Sequence, residues 1–441
     1  MDHENAPGNQ GLLDQNMALN WVYNNIQFFG GDNTKITIYG ESAGSASVSL
    51  HLLSPLSAPL FKSAIMQSGS SLSEWATLKN SIALKRYTET LEFMGCNGTT
   101  WEAIECARRI DPKTAIEKSD EYFYAKADQG IMQFPFLPVV DNYFLLEEPL
   151  TLLNRGKFKK CPIMLGVNKD EANWFYVYQF LEYKNLTVLP PLTYEAFKVF
   201  LTSLFHYYPQ FPATASKSVI DAIIAKYSYW PNIHNVKKNI EMLDNAPADY
   251  HFICPALDLA STYSLNNLDV YFYHFTHRAT NHLWPEWLGV LHADEIQFVF
   301  GEPLLNASTF NEEEKVFTRK ILKYWSNFAR YDNPNGKSDQ LGNNSPGSLR
   351  LISDTMNTFT LKQPIENWPK YEIIFSSQND TQRAYIVLDA DKIEVDYNLR
   401  ADYCSFWNSY IPNLMLNERK WDLGGKDHIY FCYIFIIHHY F

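Results

Sequence analysis

The sequence predicts an α/β protein, with a mostly parallel central sheet and helices on both of its faces. The apolar runs Pro162–Val167 and Asp269–Phe275 read as strands buried on both sides. Helical patterns cover 194–204, 218–227 and 312–330. Strands alternating with helices in this way build a parallel sheet with helices packed against it. Near the start, Asn16–Phe29 spaces its apolar residues as a helix does, and Gly30-Gly31-Asp32-Asn33 ends it. Lys35–Tyr39 then alternates like a short β-branched strand. Gly40-Glu41-Ser42-Ala43-Gly44 follows at once, and small residues lead into a helix-like run to Leu53.

The composition bounds what the protein does. Of 441 residues, 46% are hydrophobic and 20% charged, enough for a core and too apolar for a disordered chain. Lys+Arg 37 against Asp+Glu 49 gives a net charge of −12. No basic footprint for nucleic acid exists, binding to an anionic membrane is disfavoured, and a cationic ligand is welcome. No run of 18 apolar residues is present, and Met1-Asp2-His3-Glu4 does not open a signal peptide. Without repeats, linkers or shifts in composition, residues 1–420 read as one domain, followed by an atypical apolar tail over 421–441. The six cysteines form no CxxC or Cys/His zinc spacing, and no cofactor motif is found. Sequons stand at Asn97, Asn185, Asn306, Asn343 and Asn379.

Chemistry enters at G-x-S-x-G. Placed between strand and helix, this pattern puts Ser42 on a sharp turn with its hydroxyl clear of the sheet, and glycines on either side give the turn room. The N–H of Ala43, at the helix start, then faces a developing oxyanion. A serine nucleophile needs a base and an orienting carboxylate, in the chain order Ser, acid, His. Asp170 and Glu171, just past the strand Pro162–Val167, both sit where catalytic groups gather in open α/β sheets. Seven histidines follow before residue 300, namely His206, His234, His251, His274, His277, His282 and His292. Pattern alone selects neither the acid nor the base.

Longer blocks add a resemblance. Ala6–Val22, Phe29–Asp32 with Gly40–Val48, Met66–Ser70, Phe134–Asp141, Lys159–Glu171, Trp284–Leu304 and Lys323–Asn335 together resemble the carboxylesterase/cholinesterase family (type-B carboxylesterases) of α/β hydrolases. Within it the chain looks most like invertebrate acetylcholinesterases, from residue 6 to about residue 415. The resemblance implies an α/β-hydrolase fold and hydrolysis of a small ester, a choline ester first. By position it makes Ser42 the nucleophile, Glu171 the acid and His292 the base, with Glu41 and Glu295 as supporting carboxylates. It implies an aromatic gorge with Trp174, Phe175, Tyr178 and Trp284 as its rings, and an acyl pocket around Trp75, Met132, Phe134 and Phe136. Met132 stands where vertebrate members carry a second acyl-pocket Phe.

The resemblance further implies the disulfides Cys96–Cys106 and Cys254–Cys404, a secreted or cell-surface setting, and a possible homodimer. Cys161 has no family partner, and Cys432 lies in the tail, where some members link subunits. Against the family pattern, the N-terminal strands, the glycine-rich oxyanion loop and the choline-site Trp are expected to be missing. Residues 1–441 alone are therefore expected to be poorly soluble and inactive. The tail could hold a lipid-anchor signal cleaved near Gly424 or Gly425, though a polar spacer is lacking. A general carboxylesterase and a non-catalytic adhesion-type binder are the competing readings.

Overall fold

A computed structural model describes residues 6–125, 132, 134–179, 191–206, 216–306, 308–337, 365–375 and 381–422. Its centre is a seven-stranded sheet. The strands are β1 (Thr37–Glu41), β2 (Ser63–Gln67), β3 (Ile163–Asn168), β4 (Val270–Phe275), β5 (Ile373–Phe375), β6 (Thr381–Leu388) and β7 (Glu394–Tyr397). The order is β1-β2-β3-β4-β6-β5, with β7 also paired to β6. The pairs from β1 to β4 and on to β6 are parallel, whereas β5 and β7 lie antiparallel to β6.

The central strands are apolar over most of their length because successive side chains enter two different cores. Ala64 and Met66, Ile163, Leu165 and Val167, and Val270 and Phe272 face one core. Ile65, Met164, Tyr271, Tyr273 and Phe275 face the other. Leu12 of helix α1 (Gln10–Asn25) and residues of helix α2 (Ala43–Leu53) and of the helix Cys254–Leu265 fill the first core. Phe317, Ile321 and Phe328 of the helix Glu312–Tyr331 fill the second. Helices thus cover both faces, which is why the strand period of two is invisible in the hydropathy.

The first helix begins at Gln10, earlier than Asn16, and its last turn tightens to a 3₁₀ helix over Ile26–Phe29. The first strand runs two residues later than expected, so that it ends on Glu41. Cys96 is bonded to Cys106, and Cys254 to Cys404 across 150 residues. Cys161 is free and buried, and burial pushes its thiol up to about 12, so it packs as an inert side chain.

One buried ionic cluster ties the second face together beyond β4. His277 lies 3.2 Å from Glu314 through Nε2 and 3.5 Å from Asp389 through Nδ1. Thr280 donates twice to Glu314, through its N–H and its hydroxyl. Burial opposes a charge on His277, but Asp389 and Glu314 outweigh it, and the ring titrates above its ordinary value. A histidine raised in this way contributes stability that is complete below its unfolded pKa and is lost as pH rises through the folded one. The melting temperature of the wild type should therefore exceed that of His277→Gln by roughly 1–3 °C at pH 6. That gap should close toward pH 9; thermal scans across this range check it, and a gap that widens with pH would contradict it.

Candidate active site

The turn after β1 is strained in the manner a nucleophile requires. Ser42 has φ 57° and ψ −120°, and its N–H donates to Gln67 O at 2.8 Å. A non-glycine residue at positive φ persists only when its surroundings hold it there. Gly40 is obligatory, because a Cβ there would stand 2.4 Å from the backbone carbon of Gly44. Gly44 itself has open space where its Cβ would be, so the crowding arises at Gly40 alone, not at both glycines. Helix α2 starts at Ala43, whose N–H therefore has no acceptor within the helix.

Opposite the turn, Glu171 is fully buried beside His292. Glu171 Oε2 meets His292 Nδ1 at 2.6 Å, and Oε1 accepts the N–H of Asn168 at 2.7 Å. Both carboxylate oxygens are thereby committed. Asp170, the alternative acid, turns elsewhere: its Oδ2 accepts the N–H of Val290 at 2.8 Å, and its own N–H donates to Val290 O at 2.9 Å. It holds the loop before the base instead of touching the base.

The rest of that loop is held in the same way. Asn173 Nδ2 donates to Leu288 O at 2.9 Å, Arg278 donates to Gly289 O, and Asn168 Nδ2 donates to Leu291 O at 2.8 Å. Gly289 has φ 75°, and a Cβ there would lie 2.1 Å from Asp170 Oδ2, so only glycine fits against the clamp. Asn168, Asp170 and Asn173 come from the end of β3, the turn after it and the start of the helix Asn173–Gln179, beside Glu171. Glu171 and His292 are therefore seated on two segments fastened to each other by hydrogen bonds to backbone groups.

Two more carboxylates surround the imidazole. Glu41 Oε1 lies 3.2 Å from His292 Nε2, and Glu295 is held by Gln67 Nε2 at 2.8 Å and Asn168 Nδ2 at 2.7 Å. Burial pushes Glu41 up to about 8, with Glu295 and Glu171 adding to the rise and His292 opposing it. Burial likewise raises Glu295, against the hydrogen bonds from Gln67 and Asn168. His292 is pulled down by burial, but Glu171, Glu41 and Glu295 overcome this and set it at about 8. His292 Nε2 has no hydrogen-bond partner; the contact from a serine hydroxyl to such a base tightens when substrate is bound.

Rings line the same region. Phe175 and Phe252 lie 5.3 and 4.9 Å from the His292 ring and stack on each other at 5.8 Å. Trp174 meets Trp284 edge-on at 5.9 Å. Trp75 is buried against Phe252 at 5.7 Å, and its Nε1 donates to His251 O. Met132 is buried at φ 63°, and Phe134 packs on the same core. Phe136 is 49% exposed and meets Tyr87 instead of this ring cluster.

Sequence reasoning missed Phe252, which sits in the π-helical turn Asp249–Ile253, where the helical period is broken. It also missed the polar supports Asn168, Gln67 and Asn173, whose only signal is an amide at a strand end or in the turn beyond it. The side chain of Tyr178, the sequons at Asn185, Asn343 and Asn379, Cys432 and the tail from residue 423 lie outside the described residues. Among the described residues, no group of His, Cys, Asp and Glu could hold a metal ion.

The sequence as a whole matches known proteins. The model of the Carboxylesterase family matches residues 1–407. An acetylcholinesterase of Bungarus fasciatus is 35% identical over 442 residues, covering 97% of this chain and 65% of the relative. A cholinesterase of Mus musculus is 37% identical over 429 residues, covering 95% and 64%. An acetylcholinesterase of Electrophorus electricus is 35% identical over 441 residues, covering 93% and 64%. The chain thus spans just under two thirds of the length of these relatives.

Proposed function

The chain belongs to the carboxylesterase family, and from this we propose that the protein is a serine ester hydrolase working through an acyl-enzyme. The observation that supports this most is the His292–Glu171 pair. With Nδ1 committed to Glu171 at 2.6 Å, the imidazole is left to act as a base through Nε2, on the side of Glu41 and the Ser42 turn. His292 takes the Ser42 proton as Oγ attacks the ester carbonyl, and Ala43 N–H meets the oxyanion. The proton then passes to the leaving alcohol, and water repeats the sequence on the acyl group. Glu171 holds the ring and stabilises its cationic form throughout.

A choline ester is the substrate this reading favours. The Trp174–Trp284 pair follows the acid and precedes the base closely in sequence, and such rings attract a quaternary ammonium. The net charge of −12 draws a cation toward the site. The relatives' names, acetylcholinesterase and cholinesterase, point the same way. Two disulfides fit an oxidising compartment and so a secreted or surface location. Among the described residues, no helix is long and apolar enough to cross a membrane.

The test is labelling with a fluorophosphonate followed by peptide mass spectrometry, together with rates on acetylthiocholine and on an uncharged thioester of equal size, on a chain extended to the relatives' full length with residues 1–441 alone measured beside it. A covalent adduct on Ser42 and a preference for the choline ester are expected. An adduct without that preference would favour a general carboxylesterase. No adduct, with rates at the Ser42→Ala level, would favour a non-catalytic binder. Turnover by residues 1–441 above that level would also remove the expectation that they are inactive alone.

A further inference from the structure

The stretch from Arg278 to Asp294 carries both Trp284 and the base, and the reaction just described makes no use of the side chains of His282 and Asp294. The N–H of Trp284 donates to Nδ1 of His282 at 3.2 Å. The other ring nitrogen, Nε2, lies 3.0 and 2.8 Å from the two oxygens of Asp294. Because a backbone N–H can only donate, Nδ1 is the acceptor, and Nε2 carries the proton given to Asp294. Asp294 Oδ2 in turn accepts the N–H of Leu291 at 2.7 Å, and Leu291 is the residue before His292. The His282 and Asp294 side chains are 6% and 15% exposed, so water competes little for these bonds. On its other side, Trp284 O accepts from Arg278 Nη2 at 2.5 Å. Both backbone polar groups of Trp284 are therefore held, one of them by a line of bonds leading to the base.

We propose that His282, anchored by Asp294, is a positioning residue that fixes Trp284 edge-on against Trp174 and thereby sets affinity for a quaternary ammonium group. This rests on the reading above that the Trp174–Trp284 pair receives the cationic end of the substrate. His282 touches no substrate; it acts through the Trp284 backbone. Attraction of a cation to a ring depends on the ring's orientation, so release of this backbone should weaken a cation selectively and spare a neutral ligand of the same shape.

The experiment compares phenyltrimethylammonium with its uncharged isostere tert-butylbenzene, by calorimetry on the 441-residue chain. His282→Leu should weaken the cation by about 3- to 10-fold and the isostere by less than about twofold. His282→Asn should restore most of the loss, since an asparagine side chain accepts the N–H two residues on. With acetylthiocholine, KM should rise in His282→Leu while kcat stays within about twofold. Should His282→Leu fail to fold, Asp294→Asn, which breaks the anchor, should show the same selective loss. Equal weakening of both ligands, unchanged cation binding in the variants, or no cation binding by the parent would each overturn the proposal. Binding needs no turnover: a chain of the relatives' full length that hydrolyses no ester yet shows the selective loss would sink the catalytic reading and leave this one standing, whereas residues 1–441 can show the loss while inactive.

Discussion

In a chain extended to the relatives' full length, Ser42→Ala should lower kcat/KM for acetylthiocholine by about 10⁴-fold or more and abolish fluorophosphonate labelling, while the melting temperature stays within about 2 °C. On the proposed mechanism the Ser42 hydroxyl oxygen is the atom that forms the covalent bond. The turn itself depends on Gly40 and on the hydrogen bond from the Ser42 N–H to Gln67 O, neither of which an alanine disturbs. Combining Ser42→Ala with His292→Gln should cost little more than either alone, because nucleophile and base act as a unit. Additive losses would mean that two separate processes are being measured.

Glu171→Gln should cost about 10³- to 10⁴-fold in kcat with a much smaller change in KM. Asn168 N–H at 2.7 Å keeps the amide oxygen on its side, so the amide NH₂ would face His292 Nδ1. A donor there forces Nδ1 to accept and moves the ring proton to Nε2, the nitrogen that must take the proton of Ser42. The same change removes the main carboxylate that holds His292 at about 8 against the pull of burial. The imidazole should then titrate lower, and the acid limb of the residual kcat/KM profile should move to lower pH. Profiles from pH 5 to 9 check this. An unmoved limb would show that another group sets the base.

Legibility of the fold followed apolar runs and not burial. β3 and β4 carry unbroken runs of apolar residues, Ile163–Val167 and Val270–Tyr273, and read directly, whereas β2 (Ser63–Gln67), though fully buried, is short and brackets three apolar residues with a serine and an amide. Its Gln67 spends that amide on Glu295 and on Trp325 Nε1, a task no hydropathy pattern reports. β5 and β7 add antiparallel pairs at the far side of β6 and were not read at all. At the site, the elbow was legible because strand, turn and helix are consecutive. The choice between Asp170 and Glu171 was not, because the two differ only in which way each carboxylate turns. The place of His292 among seven histidines came from resemblance, since what distinguishes it is a loop fastened 121 residues downstream of its acid. Phe252 lies in the helical run 236–265, which the hydropathy did not reveal and which a π-helical turn over Asp249–Ile253 interrupts.

That fastening has a consequence for how such proteins diversify. Since the turn after β3 grips the backbone of 288–291 directly, the geometry of acid and base does not depend on the length or course of the chain between them. Insertions, deletions and drift at exposed positions before Asp244 can remodel what the protein admits while the proton-transfer pair is inherited intact, since Asp244, Phe252 and the helix Cys254–Leu265 still pack beside that pair. The clamp divides the chain into a part that is free to vary and a part that is not. By this logic, grafting the intervening segment of a relative should change which esters are preferred long before it costs the ability to cleave one.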